Sequence, residues 1–158
     1  MKRYWPLFAL VLMAALEAAA LTYGMQKDLF AWMHFFMGFF LCQFALLKLF
    51  HPGDFADGFS MYDLVAKKFK GYAYFYPFIE LGLGLSYLSF FYPMVTYLIT
   101  MLVMGTGAIG VIRALRQGLD VRCACMGTVL DVPLSTVTLS EDIGMVAMAC
   151  WMLIASGF

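Results

Sequence analysis

The chain has 158 residues, of which 64% are hydrophobic, 18% aromatic and only 13% charged, and its ten basic residues balance its ten acidic residues. The mean hydropathy of +0.86 lies far from the average of soluble globular proteins and indicates an integral membrane protein. The zero net charge, with basic residues near the ends of apolar segments, gives no indication of nucleic acid binding.

Five apolar segments are long enough, or nearly so, to cross a hydrocarbon core, which takes about 20 residues in a helix. They are Trp5 to Tyr23, Leu29 to Phe50, Tyr74 to Phe91, Val95 to Leu115 and Leu139 to Gly157. The first segment also resembles a signal peptide, because Lys2 and Arg3 precede it. Glu17 would interrupt such a peptide and no clean cleavage site follows, so a retained helix is favoured over cleavage.

The basic residues predict the orientation, because lysine and arginine collect on the cytoplasmic side. With the N-terminus inside, nine of the ten fall on that side and only Lys27 falls outside. The nine are Lys2, Arg3, Lys48, Lys67, Lys68, Lys70, Arg113, Arg116 and Arg122. We therefore expect a multi-pass protein of a bacterial inner membrane, in contact with the lipid bilayer, with a cytoplasmic N-terminus.

The connection between the second and third segments has an amphipathic pattern. Apolar residues recur there at helical spacing, at Phe55, Phe59, Tyr62, Ala66 and Phe69. Such a pattern predicts a helix in the membrane interface, over about residues 54–70. A surface elbow is favoured over a partner-binding role.

The connection from Arg116 to Thr138 carries a Cys-x-Cys pair, Cys123 and Cys125, followed by Met126. Two thiols one residue apart can cycle to a strained disulfide that is readily reduced, which suits a transient carrier. They can also bind Cu(I) or another soft metal, with Met126 as a further ligand. Two cysteines without a role are the remaining alternative. Thr138 and Glu141 form a capping-box pattern that predicts the start of the last helix.

Four further residues are candidates for a supporting role. Cys42 and Cys150 fall near the middle of their segments, where an inert apolar role competes with a relay role. His34 lies beside Met33 and Met37, so a soft-metal path competes with a histidine bonded to a neighbouring helix. Glu80 is an acid within an apolar segment. It can act on a thiol or an ion, or it can pair with Arg113 or Lys48.

The segment Gly105 to Gly110 matches the dinucleotide-binding pattern G-x-G-x-x-G by letter. That pattern has meaning only between a strand and a helix of a soluble unit. In a membrane helix, small residues such as these and Gly82 and Gly84 let helices approach closely.

Several of these features together resemble the MauE group of DoxX-like membrane proteins, near the branch with an appended heavy-metal-associated domain. They are Lys48 at the end of a span, Tyr62-Asp63 in the elbow, Tyr76-Pro77 through Glu80 and Gly84, and Cys123, Cys125 and Gly127 before the last span. The resemblance covers about the last three quarters of the chain.

This resemblance implies a four-helix membrane bundle linked to thiol redox chemistry, here with one extra N-terminal span in a single domain of residues 1–158. MauE itself is associated with methylamine utilisation, but the extra span departs from the family pattern. The leading hypothesis is a thiol-disulfide carrier that serves a thioredoxin-like partner. The alternatives are Cu(I) or Hg(II) transport or delivery, with a metallochaperone as partner, and a scaffold subunit without chemistry.

Overall fold

The computed structural model describes residues 5–117 and 134–157, and this part of the chain is helical without strands. The helices are α1 (Trp5–Gly24), α2 (Leu29–Phe50), α3 (Pro52–Tyr62), α4 (Lys70–Leu88), α5 (Pro93–Arg116) and α6 (Leu134–Ala155). Three helical stretches are long and apolar enough to cross a membrane, namely Leu7–Gly24, Leu29–Phe50 and Pro93–Arg116. The prediction of an all-helical membrane protein is confirmed at this level.

Helix α2 lies between α1 and α4, and α5 packs mainly against α6. Between α1 and α2, Gln43 Nε2 donates a hydrogen bond of 2.9 Å to Glu17 Oε2. Between α2 and α4, a Cβ atom added to Gly84 would lie 3.0 Å from the Gly38 carbonyl oxygen and 3.0 Å from the Cys42 nitrogen. The backbones of α2 and α4 therefore approach closely because residue 84 has no side chain.

Helix α3 is shorter than the predicted helix, because it ends at Tyr62 where the prediction continued to residue 70. Asp63 has extended backbone angles, and its Oδ1 accepts hydrogen bonds from the Val65 and Ala66 N–H groups at 2.9 and 2.8 Å. These side-chain bonds compete with continuation of the helix. Burial raises the pKa of the Asp63 carboxyl, and the two backbone hydrogen bonds partly offset this effect.

The apolar face of α3 packs on the bundle. Phe55, Phe59 and Tyr62 are buried in one cluster with Tyr76 of α4 and Val111 of α5. Phe69 is not part of this cluster, and it is 67% exposed. It lies beyond the break at residue 63, so it does not continue the face of α3.

Three other boundaries differ from the predicted segments. Helix α4 starts at Lys70 and ends at Leu88, and the turn that follows has left-handed backbone angles at Phe90 and Tyr92. Helix α6 begins at Leu134, so Thr138 lies inside it and the predicted capping box does not start it. The predicted cysteine loop, residues 116–138, falls largely on residues 118–133, which lie outside the described residues.

Candidate functional site

A buried ion pair joins the end of α2 to the middle of α4. Lys48 Nζ lies 2.7 Å from Glu80 Oε1 and 2.5 Å from Glu80 Oε2, and the two side chains are 7% and 5% exposed. Of the two partners considered for Glu80, the structure therefore brings Lys48 to it, whereas Arg113 is exposed. A buried charge is tolerated when an opposite charge and hydrogen bonds compensate for the lost water, as they do here.

Two aromatic rings flank the ammonium group of this pair. Lys48 Nζ lies 5.1 Å from the centroid of the Tyr76 ring and 5.6 Å from that of Phe55. Both distances are within the range of cation–π attraction. The lysine is therefore held between α2, α3 and α4, and its amine is buried.

The ion pair lines a small cavity between helices α2 to α6. Its volume is about 20 Å³, which is enough for one ordered water. Two further carboxyl side chains, Glu141 and Asp142 of α6, line the same cavity. A Cβ atom added to Gly107 would lie 3.0 Å from Asp142 Oδ2, so this glycine of α5 makes room for the carboxylate.

The sequence interpretation missed Glu141 and Asp142 as members of this site. The capping-box pattern of Thr138 and Glu141 predicts that both acids lie in the first turn of the last helix. Because α6 begins at Leu134, the two acids lie about two turns inside the helix. The rule that singled out Glu80, that an acid within an apolar helix is functional until shown otherwise, applies to them once the helix start is known.

The cavity lies at the end of the bundle to which the cysteine segment is attached. Gly107 precedes Gln117, the residue after α5, by about 15 Å of helix, and Asp142 follows the start of α6 by about 12 Å. Cys123, Cys125 and Met126 themselves lie outside the described residues. The described residues that flank this segment, Gln117 and Leu134, therefore lie on the side of the cavity.

Comparison with known proteins matches residues 26–155 to the family model described as Methylamine utilisation protein MauE. The chain belongs to the MauE family. The match covers α2 to α6 with the cysteine segment, and it leaves the whole of α1 outside. No curated protein and no solved structure matches the chain significantly. The resemblance to the MauE group is thus confirmed.

Within the MauE-family region, the structure separates the two candidate membrane thiols. Cys42 and Cys150 are both free and half-buried. Cys42 packs against Gly84, one helical turn from Glu80, because a Cβ atom on Gly84 would lie 2.7 Å from its Sγ. Cys150 follows Asp142 by about 12 Å along α6. Cys42 is therefore close to the cavity, and neither cysteine lines it.

His34 lies at the opposite end of the MauE-family bundle from the ion pair. It is about 21 Å from Lys48 along α2. Its Nδ1 lies 3.4 Å from the Tyr87 carbonyl oxygen, which can only accept, and its Nε2 lies 2.5 Å from the Tyr97 hydroxyl. The neutral ring thus donates through Nδ1 and accepts the Tyr97 hydroxyl through Nε2. His34 joins α2, α4 and α5 and does not contact the cavity.

Among the residues that the structure describes, no group of three His, Cys, Asp or Glu side chains is placed to hold a metal ion. The predicted metal ligands Cys123, Cys125 and Met126 are not in that set. A soft-metal site that uses them is therefore still a prediction.

Proposed function

We propose that this MauE-type membrane protein is a thiol-disulfide carrier in which Cys123 and Cys125 exchange a disulfide with a thioredoxin-like partner. One observation carries the proposal. The segment with the two thiols is attached to α5 and α6 at the end of the bundle where Lys48, Glu80 and Asp142 line a buried cavity. Clusters of ionisable groups inside a membrane bundle are typical of sites that handle charge or protons.

The exchange needs no cofactor. The thiolate of one cysteine attacks the partner's disulfide, and a mixed disulfide forms while one partner sulfur leaves as a thiolate. The second cysteine then attacks the mixed disulfide. Two electrons pass to the partner, the pair becomes a disulfide, and the protons lost by the two thiols end on the partner's thiols. The reverse sequence returns the pair to the dithiol.

We place the protein in a bacterial inner membrane with five spans and a cytoplasmic N-terminus. Helices α4 and α6, with 19 and 22 residues, are about 28 and 33 Å long, close to the thickness of a hydrocarbon core. At the cavity end, exposed cations cluster at Lys67, Lys68, Lys70, Arg113 and Arg116, whereas Lys27 lies at the other end. In this arrangement α3 lies at the cytoplasmic interface.

Alkylation trapping in cells tests the carrier. Cells are quenched in acid before and after a thiol oxidant, and free thiols are labelled with a reagent that adds mass. We expect Cys123 and Cys125 to lose both labels together on oxidation and to regain them on recovery. A Cys125→Ser variant should accumulate a mixed disulfide with its partner. The matched control is the double variant Cys42→Ser with Cys150→Ser, which should cycle as the wild type does.

A pair that stays fully reduced under oxidant contradicts the carrier. So does a Cys123→Ser, Cys125→Ser variant that keeps the cellular function of the wild type, which is the result expected of a scaffold subunit.

A second function, Cu(I) transport or delivery, is favoured by a different observation. The thioether side chains of Met104 and Met145 line the cavity. Thioethers and thiolates are the ligands that Cu(I) prefers, although methionine also fills cores without any metal. Titration of the purified protein with Cu(I) separates the two functions. One equivalent bound by the wild type and lost in the Cys123→Ser, Cys125→Ser variant supports the metal function, and unchanged binding excludes this site.

A further inference from the structure

A basic groove lies outside the cavity of the ion pair, between the turn that follows α3 and the last turns of α5. Its volume is about 240 Å³, and Lys67, Lys68 and Arg113 line it together with Met61 and Leu64. All three cationic side chains are exposed. The groove thus combines three positive charges with an apolar wall.

The floor of the groove is held in place by close backbone packing. A Cβ atom added to Gly110 of α5 would lie 2.7 Å from the Tyr62 carbonyl oxygen, so residue 110 lets the end of α3 sit directly on α5. The Asp63 carboxylate then binds the N–H groups of Val65 and Ala66. These contacts fix the turn on which the two lysines stand.

Among the residues that the structure describes, the charged side chains that line the groove are all positive. No described Asp or Glu lines the groove, and the surface ion pair nearby involves a different cation, Lys70, whose Nζ lies 2.9 Å from Asp57 Oδ1. Like charges held together without a counter-ion repel one another. A ligand that brings negative charge therefore gains from all three cations.

We infer that this groove binds the phosphate headgroup of an anionic phospholipid from the surrounding leaflet. Arginine and lysine are the side chains that bind phosphate, and basic pockets between membrane helices bind anionic headgroups. The apolar wall distinguishes a lipid from a free phosphate ion, because Met61, which is 57% exposed, and Leu64 can cover the start of an acyl chain. The inference is independent of the thiol chemistry.

Native mass spectrometry of the detergent-purified full chain tests this inference, with phosphatidylglycerol and phosphatidylcholine of identical acyl chains. We expect tighter binding of phosphatidylglycerol, weakened about fivefold by each of Lys67→Gln, Lys68→Gln and Arg113→Gln. The triple variant should bind both lipids equally. The matched controls Lys27→Gln and Lys70→Gln remove the same charge outside the groove and should keep the wild-type preference.

Three results would overturn the inference. The first is equal binding of the two lipids by the wild type. The second is loss of the preference in the Lys27→Gln or Lys70→Gln controls, which would indicate a general effect of charge. The third is full displacement of phosphatidylglycerol by inorganic phosphate when sodium chloride of the same ionic strength has no effect, which would indicate a site for the free ion. Circular dichroism of each variant checks that it is folded.

Discussion

At the scale of single residues, the pairing of Lys48 with Glu80 explains how charged side chains are kept inside an apolar bundle. Each charge would be costly alone, and together they satisfy one another at 2.5 to 2.7 Å. This buried pair differs from a surface ion pair, in which water solvates the remaining charge when one partner is removed. Their energetic importance therefore appears only when one is removed without the other.

We expect Glu80→Gln to lower the free energy of unfolding by about 3 to 5 kcal/mol, because it removes the carboxylate that bonds the buried Lys48 ammonium through both oxygens. The double variant Lys48→Met with Glu80→Met should recover most of that loss. Reversible unfolding in mixed micelles measures both. Asp57→Asn is the control, since it breaks the exposed pair with Lys70 and should leave stability unchanged. A single variant as stable as the wild type would contradict this account.

Asp63 supplies a pH-dependent contribution from outside the membrane-spanning helices. Burial raises its pKa above the ordinary value of 3.8, so the folded protein binds this proton more tightly than the unfolded chain. The free energy of unfolding contributed by this group therefore falls as pH rises from 3.8 through the raised pKa. Above that pKa the carboxylate is charged, and its desolvation cost is fully present.

We expect Asp63→Asn to remove this dependence and to be at least as stable as the wild type at pH 7, because the amide oxygen can still accept the two N–H groups. Asp63→Ala loses both bonds and should cost about 1 kcal/mol. Thermal unfolding between pH 4 and pH 7 compares the three proteins. If the wild type gains no stability relative to Asp63→Asn as the pH falls, the assignment is wrong.

Site residues with a local sequence signal can be predicted from the sequence, whereas contacts between distant residues cannot. Glu80 stands out in the sequence because an acid in an apolar segment is rare, whatever lies around it. The sequence does not show whether Lys48 or Arg113 pairs with Glu80, because both lie near the same end of their helices. The packing of α2 against α4 brings Lys48 to Glu80. Asp142 was not recognised as a buried acid, because the predicted start of α6 was several residues too late. The roles of Cys123 and Cys125 are still predictions.

At the scale of the helices, apolar length predicts the position of a helix better than local signals predict its ends. Helix α2 covers the same residues as the second apolar segment, Leu29 to Phe50, because Asp28 caps it and His51 precedes Pro52. The predicted starts of α4 and α6 were several residues late. Helix α4 begins with Lys70 and Gly71, and Ser135 and Thr136 follow Leu134 in α6, so a search for apolar runs leaves both starts out.

The glycines of α4 provide a test at this scale. Gly84 faces the α2 backbone, whereas a Cβ atom on Gly82 would meet nothing within 4 Å. We expect Gly84→Ala to force α2 and α4 apart and to cost about 1 to 3 kcal/mol, because backbone atoms cannot rotate away. Gly82→Ala on the same helix should be neutral or stabilising, since alanine favours a helix.

Unfolding in mixed micelles measures this pair of variants as well. Equal effects of Gly84→Ala and Gly82→Ala would show that helix propensity, and not the contact between α2 and α4, determines the outcome. The sequence singled out both glycines for close packing, and only the relative rotation of the two helices distinguishes them.

At the scale of the whole molecule, the distribution of exposed cations predicts which end of the bundle faces the cytoplasm. Lys67, Lys68 and Lys70 stand beside Arg113 and Arg116 at the cavity end. Lys48, which also counted toward the orientation, is buried in the ion pair. The orientation therefore rests on the exposed residues of the turn after α3 and of the end of α5, whose charges resist translocation.

Single cysteines at the two ends test this orientation in a chain whose four native cysteines are replaced by serine. Ser89→Cys lies after α4 and Gln117→Cys after α5, both positions are exposed, and neither change alters the charge. With the N-terminus inside, α4 runs outward and α5 returns. A maleimide that cannot cross lipid should label Ser89→Cys in intact spheroplasts and Gln117→Cys only after lysis. The opposite pattern would put the cysteine segment on the oxidising side of the membrane, where a stable disulfide and not a reduced pair is the resting state.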